Sequence, residues 1–166
     1  MSKFNKLLDA KFTPPKRWIL DSSLIFDSDK LSEKDRTVLK EVKAQVTRAG
    51  KVKAPKGFKT DLASVPRLAW AFIAPFDIAR SAVIHDALYS AIREYREDNG
   101  YHVGSGGTGE TQHSKFISSQ AKTIADKVFL EAMLESDPPI AKWKAYASYY
   151  SVVLFGRWSI IPRETD

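Results

Sequence analysis

The sequence predicts an α+β fold in which a small N-terminal antiparallel β region precedes a bundle of about three helices. Short apolar stretches with alternating polarity lie before residue 60, whereas apolar residues at three- and four-residue spacing follow residue 76. Strands that come first and helices that follow favour α+β over alternating βαβ units. The chain has 166 residues and is 43% hydrophobic, which fits a single domain over 1–166.

The N-terminal part carries the predicted strands. Residues 1–16 are expected to be an extended lead-in, because two consecutive prolines disfavour a helix. The β-rich basic part covers 17–58. Within it, "RWILDSSLIF" (17–26) predicts a strand pair or one bent strand, 27–36 a polar connection, and "GKVKAPKGF" (50–58) a strand that ends in a Pro/Gly turn.

The segment 60–75 is predicted to be a structured turn. Thr60 and Asp61 are good helix N-cap residue types, whereas Pro66 disfavours helical backbone at the residue before it. A short helix over 67–74 is compatible with this pattern.

The remainder, 76–158, is predicted to be helical with one flexible loop. The run 76–98 has the clearest helical periodicity, and further helices are expected at about 115–135 and 140–158. The loop 99–114 holds five of the eight glycines, so we expect it to be mobile and to be cut first in limited proteolysis.

Composition excludes several kinds of site. The absence of cysteine rules out disulfides and cysteine-ligated zinc or iron–sulfur centres. No apolar stretch is long enough for a signal peptide or a membrane span, so we expect neither. Residues 1–60 carry 15 Lys/Arg against 7 Asp/Glu, whereas 61–166 carry 11 against 13. The basic third is either a solvated surface or a face for nucleic acid, an anionic membrane or an acidic protein.

The candidate chemistry centres on polar residues inside apolar helices. His85 lies in "SAVIHDALY", where an unpaired imidazole is costly, and Tyr89 lies one turn further on the same face. Asp126 lies in a similar apolar setting in "TIADKVF". If the two helices pack antiparallel, Asp126 can orient His85, and the imidazole can then act as a general base on water.

Two interpretations of this pair stay open. In the catalytic one, His85, Asp126 and Tyr89 form the reaction centre, and Asp86 with Asp61 forms a divalent metal site. In the structural one, a buried histidine–carboxylate hydrogen bond links two helices, and Asp86 serves the neighbouring turn.

The order of three motifs resembles a family of phage and prophage proteins of unassigned function. The motifs are G-F-x-T-D-x-A-S-V-P-R from Gly57, H-D-x-L-Y from His85, and a later K-x-x-x-D helix that contains Asp126. The resemblance covers about 52–134. It implies a bacteriophage or prophage origin, a location in the virion or host cytoplasm, and phage or host proteins as partners.

The helices are also similar to the phospholipase A2 pattern H-D-x-x-Y followed by A-D-x-x-F. That resemblance implies that His85 activates water, that Asp86 binds calcium, that Asp126 orients the histidine and that Tyr89 supports it. The glycine-rich calcium loop of that family has no counterpart here, where only Gly50 and Gly57 precede His85.

Two functions are therefore expected. The first is a virion- or tail-associated or host-interaction component built around a His–Asp helix pair. The alternative is a hydrolase, phospholipase A2-like or otherwise metal-assisted, that uses His85 as its general base.

Overall fold

A computed structural model describes residues 3–14, 17–60, 78–102, 104, 106–107 and 109–162. It confirms the predicted fold class, because a small antiparallel β region with one short helix precedes three longer helices. The predicted turn 60–75 and the short helix 67–74 lie outside the described residues, except for Thr60.

The described strands form two small antiparallel sheets. The strands are β1 (Ala10–Thr13), β2 (Arg17–Leu20), β3 (Leu24–Asp27), β4 (Lys51–Ala54) and β5 (Lys59–Thr60). One sheet has the order β1-β2-β5, and the other pairs β3 with β4. Two strands do lie in the range 17–26, where a strand pair or one bent strand was predicted, but β2 and β3 have different partners, so they neither pair with each other nor form one bent strand.

A short helix, α1 (Glu33–Glu41), begins inside the segment predicted to be a polar connection. The Ser32 hydroxyl accepts a hydrogen bond from the Asp35 amide at 3.1 Å, and the Asp35 carboxylate accepts one from the Ser32 amide at 3.0 Å. This reciprocal pair satisfies two backbone donors at the helix start, so a helix forms in a polar stretch.

The three longer helices lie close to the predicted ranges. They are α2 (Ala79–Asp98), α3 (Gln112–Leu134) and α4 (Lys142–Phe155), which a 3-10 turn at Gly156–Trp158 follows. Helix α3 starts three residues earlier than predicted, because the Thr111 side chain accepts a hydrogen bond from the Ser114 amide. The connecting loop is therefore shorter than predicted, at 99–111.

Helices α2 and α3 run antiparallel and carry most of the core. His85 on α2 meets Asp126 on α3, and Arg96 further along α2 meets Glu110, just before α3 begins. The guanidinium donates to both carboxylate oxygens of Glu110, at 2.9 and 2.8 Å, and to the Ile160 carbonyl at 3.1 Å. One partly buried ion pair thus joins α2, the end of the glycine loop and the C-terminal segment.

The strand region packs on one side of this helix pair through Leu24, Phe26 and Val52, which are all buried. No helix in the described part of the chain is both long enough and apolar enough to cross a bilayer.

Candidate functional site

The packing of α2 against α3 brings His85 and Asp126 together. Nε2 of His85 lies 3.0 Å from Oδ1 of Asp126. Both residues are buried: as whole residues, His85 is 0% exposed and Asp126 is 2% exposed. The predicted histidine–carboxylate pair is therefore present.

Tyr89 completes this pair from the next turn of α2. Its hydroxyl donates a hydrogen bond to the same Asp126 oxygen at 2.7 Å, and its ring centroid lies 4.0 Å from that of His85. Phe129, one turn beyond Asp126, contacts the imidazole with a centroid distance of 4.8 Å. Both rings therefore pack against the imidazole and restrict its orientation.

Lys122 places a positive charge beside the carboxylate of Asp126. It lies one turn before Asp126 on α3 and donates to Oδ2 at 2.7 Å and to the Val152 carbonyl of α4 at 3.2 Å. Lys122 is the lysine of the K-x-x-x-D motif noted in the sequence, where it was given no role. The i,i+4 spacing of opposite charges is the signal that could have identified it.

Electrostatics favour a neutral imidazole beside an ionised carboxylate. Burial lowers the pKa of His85 and outweighs the opposing effect of Asp126. Burial alone would raise the pKa of Asp126, but hydrogen bonds from His85, Lys122 and Tyr89 lower it. Burial, together with the nearby Asp126 charge, raises the pKa of Tyr89, which therefore stays a hydrogen-bond donor.

This charge distribution fixes the tautomer of His85. An ionised carboxylate only accepts hydrogen bonds, so a neutral imidazole must carry its proton on Nε2, facing Asp126. Nδ1 then presents an unprotonated lone pair. Among the residues that the structure describes, this buried atom has no hydrogen-bond partner. A buried acceptor without a partner costs about 1–3 kcal/mol, which is unusual for a purely structural histidine.

Gly156 allows α4 to approach the cluster closely. A Cβ at this position would overlap the Tyr89 hydroxyl and lie 3.4 Å from Cε of Lys122. Its backbone φ of −66° is ordinary, so space rather than conformation requires glycine here.

Asp86 does not take part in the His85–Asp126 pair. It contacts the strand region instead. Its carboxylate accepts a hydrogen bond from the buried Thr60 hydroxyl at the end of β5, which links α2 to the three-stranded sheet. Asp61, the other predicted metal ligand, lies outside the described residues. Within the described ranges, no group of three or more His, Asp or Glu side chains could hold a metal ion. Calcium takes six to eight oxygen ligands, so Asp86 alone is not a site, and the metal centre stays a prediction.

Another buried acid was missed by the sequence analysis. Glu131 on α3 is 3% exposed, and its carboxylate accepts hydrogen bonds from the Ser28 hydroxyl and, at 3.1 Å, from the Asp29 amide. A carboxylate within the apolar stretch "KVFLEAM" is the same signal that identified Asp126. The Lys3 ammonium also lies 3.7 Å from this carboxylate, so Glu131 joins α3 both to the residues after β3 and to the N-terminal segment.

Comparison with known proteins assigns the chain to a family. A family model described as "Protein of unknown function (DUF1353)" matches residues 36–152, which include all of α2 and α3. Neither the curated proteins nor the solved structures gave a match. The chain is therefore a member of this family of unknown function.

Proposed function

We propose that this protein is a hydrolase in which His85 acts as a general base on water. The observation that carries the proposal is the arrangement around the imidazole: Nε2 is bound to Asp126, while the lone pair of Nδ1 has no partner among the described residues. A histidine that only links two helices gains stability from each nitrogen it satisfies. In this protein Nδ1 has no such partner among the described residues, so its lone pair can act as a base.

The chemistry follows from the positions of the protons. Because Nδ1 is buried, a local opening of the helix packing has to admit water and substrate first. Nδ1 then takes a proton from water, and the resulting hydroxide attacks an ester carbonyl. The imidazolium is stabilised by the ionised Asp126, whose negative charge Lys122 and Tyr89 preserve through hydrogen bonds. The imidazolium then returns the proton to the departing alkoxide, which leaves a carboxylic acid, an alcohol and a neutral His85. The similarity of the H-D-x-x-Y and A-D-x-x-F segments to phospholipase A2 favours phospholipid esters as substrates. No step of this proposal runs through a metal ion.

The test is hydrolysis of a fluorogenic phospholipid ester, with and without calcium. We expect turnover by the parent protein and a loss of about 10²–10⁴-fold in kcat for His85→Ala. Tyr89→Phe keeps the ring and removes one donor to Asp126, so we expect a smaller loss. His113→Ala, an exposed histidine on α3, is the control. An inactive parent, or equal activity in His85→Ala, would refute the hydrolase.

A second function is favoured by the burial of the pair. Complete burial of His85 and near-complete burial of Asp126 suit a link between helices in a phage-encoded virion, tail or host-interaction component. The phage origin rests on the motif resemblance. In this case His85→Ala lowers the melting temperature by several degrees, and no ester is hydrolysed by any variant.

A further inference from the structure

Helix α4 fully buries only small side chains and valine, whereas several of its large apolar side chains are exposed. The buried face consists of Ala145, Ser148 and Val152, and Gly156 continues it into the 3-10 turn. The outer face of α4, as we use the term, consists of Trp143, Tyr146, Tyr150, Val153 and Leu154 on the helix together with Trp158 in the 3-10 turn. Each of these side chains is at least 41% exposed, and Leu154 is 63% exposed. Such a contiguous apolar surface marks an interaction site.

The charged residues within the segment 142–158 all have the same sign. No Asp or Glu occurs between Lys142 and Trp158, whereas Lys142, Lys144 and Arg157 do. The Lys144 ammonium lies 5.9 Å from the Trp143 ring, and the Arg157 guanidinium lies 4.4 Å from the Trp158 ring. Each end of the face thus combines an indole with a cation, and aliphatic side chains lie between the ends.

We propose that the outer face of α4 docks on an anionic lipid surface. Tryptophan and tyrosine favour the headgroup region, basic groups pair with lipid phosphates, and aliphatic residues enter the acyl boundary. This arrangement stands on its own, whether or not His85 is catalytic.

A second copy of the chain fits this face less well. Two α4 helices packed through a twofold axis would bring the basic residues of both copies to one seam with no carboxylate in either helix. A single-stranded nucleic acid needs cations along its whole backbone path, whereas here the cations lie at the two ends.

The experiment is vesicle co-sedimentation of the full chain. We expect binding to vesicles of phosphatidylcholine mixed with phosphatidylglycerol and much weaker binding to phosphatidylcholine alone. Tyr150→Ser combined with Leu154→Ser removes apolar contact area and should weaken binding about tenfold or more. Phe116→Ser, an equally exposed aromatic residue on α3, is the matched control and should bind as the parent does.

The contribution of the basic residues to binding is tested by two double variants that make the same change in charge. Lys142→Glu with Arg157→Glu should abolish the preference for phosphatidylglycerol, whereas Lys34→Glu with Lys40→Glu, the same charge change on α1, should largely keep it. His85→Ala should bind like the parent, so a failed hydrolase does not affect this result. No binding, equal loss in Phe116→Ser, or a dimer that dissociates on Leu154→Ser would overturn the proposal.

Discussion

Lys122 and Asp126 form an ion pair one helical turn apart, with Nζ 2.7 Å from Oδ2, and the same ammonium donates to the Val152 carbonyl. The side chains are 12% and 3% exposed. Lys122 therefore links Asp126, the partner of His85, to α4, and it keeps the Asp126 carboxylate ionised within the core.

Replacing this lysine should destabilise the protein. Lys122→Met keeps the aliphatic length but removes the charge, so the buried carboxylate loses a donor, at a cost of about 1–3 kcal/mol. The depressed pKa of Asp126 should rise, and acid unfolding should begin at a higher pH, because Asp126 contributes stability that is lost as pH falls through its folded pKa. Lys127→Met, exposed on the same helix, is the control. Equal denaturation curves for the two variants would contradict this role.

The pH dependence of stability should reveal His85. Its folded pKa lies below the unfolded value of 6.5, so the unfolded state binds the proton first. Stability should therefore fall as pH is lowered from 6.5 towards the folded pKa. His85→Gln should flatten this part of the melting-temperature profile, whereas the surface variant His113→Gln should retain it. A parent protein whose stability rises with acidification in this range would contradict the assignment.

Gly156 should not tolerate a methyl group. In Gly156→Ala the new Cβ overlaps the Tyr89 hydroxyl, which must leave Asp126 or push α4 away. Loss of this buried hydrogen bond should cost about 1–3 kcal/mol in urea unfolding. Gly104→Ala is a suitable control, because its Cβ would have nothing within 4 Å and its φ is not in the left-handed region. If both alanine variants unfold alike, α4 does not constrain Tyr89.

The Arg96–Glu110 pair should protect two segments together. Glu110→Ala leaves a partly buried guanidinium without its bidentate partner, so both the end of the 99–111 loop and the residues around Ile160 lose an anchor. We expect faster amide hydrogen exchange in both places. Glu97→Ala, exposed on α2, should leave exchange unchanged. Faster exchange confined to the loop would mean that Arg96 holds the C-terminal segment alone.

The contact between His85, Tyr89 and Asp126 could be predicted from the sequence, because polar residues inside apolar helical stretches need a polar partner. His85, Tyr89 and Asp126 each interrupt apolar helical stretches, and helical spacing placed the first two on one face. Antiparallel packing of neighbouring helices then made their meeting with Asp126 predictable.

Other features depend on tertiary contacts that no local pattern specifies. The separation of β2 from β3 follows from their different pairing partners. The need for Gly156 follows from where α4 crosses Tyr89, and the contact between Thr60 and Asp86 from how β5 meets α2. The capping pair at Ser32 and Asp35 was local, and its spacing could have predicted α1.

The most direct measurement is the protonation pattern of the His85 imidazole by long-range ¹H–¹⁵N NMR. We expect a neutral ring at pH 7 with the proton on Nε2 and a pyridine-like Nδ1, whose signal is absent in His85→Gln. A proton on Nδ1, or an imidazolium at this pH, would contradict the claim that the residue presents a base.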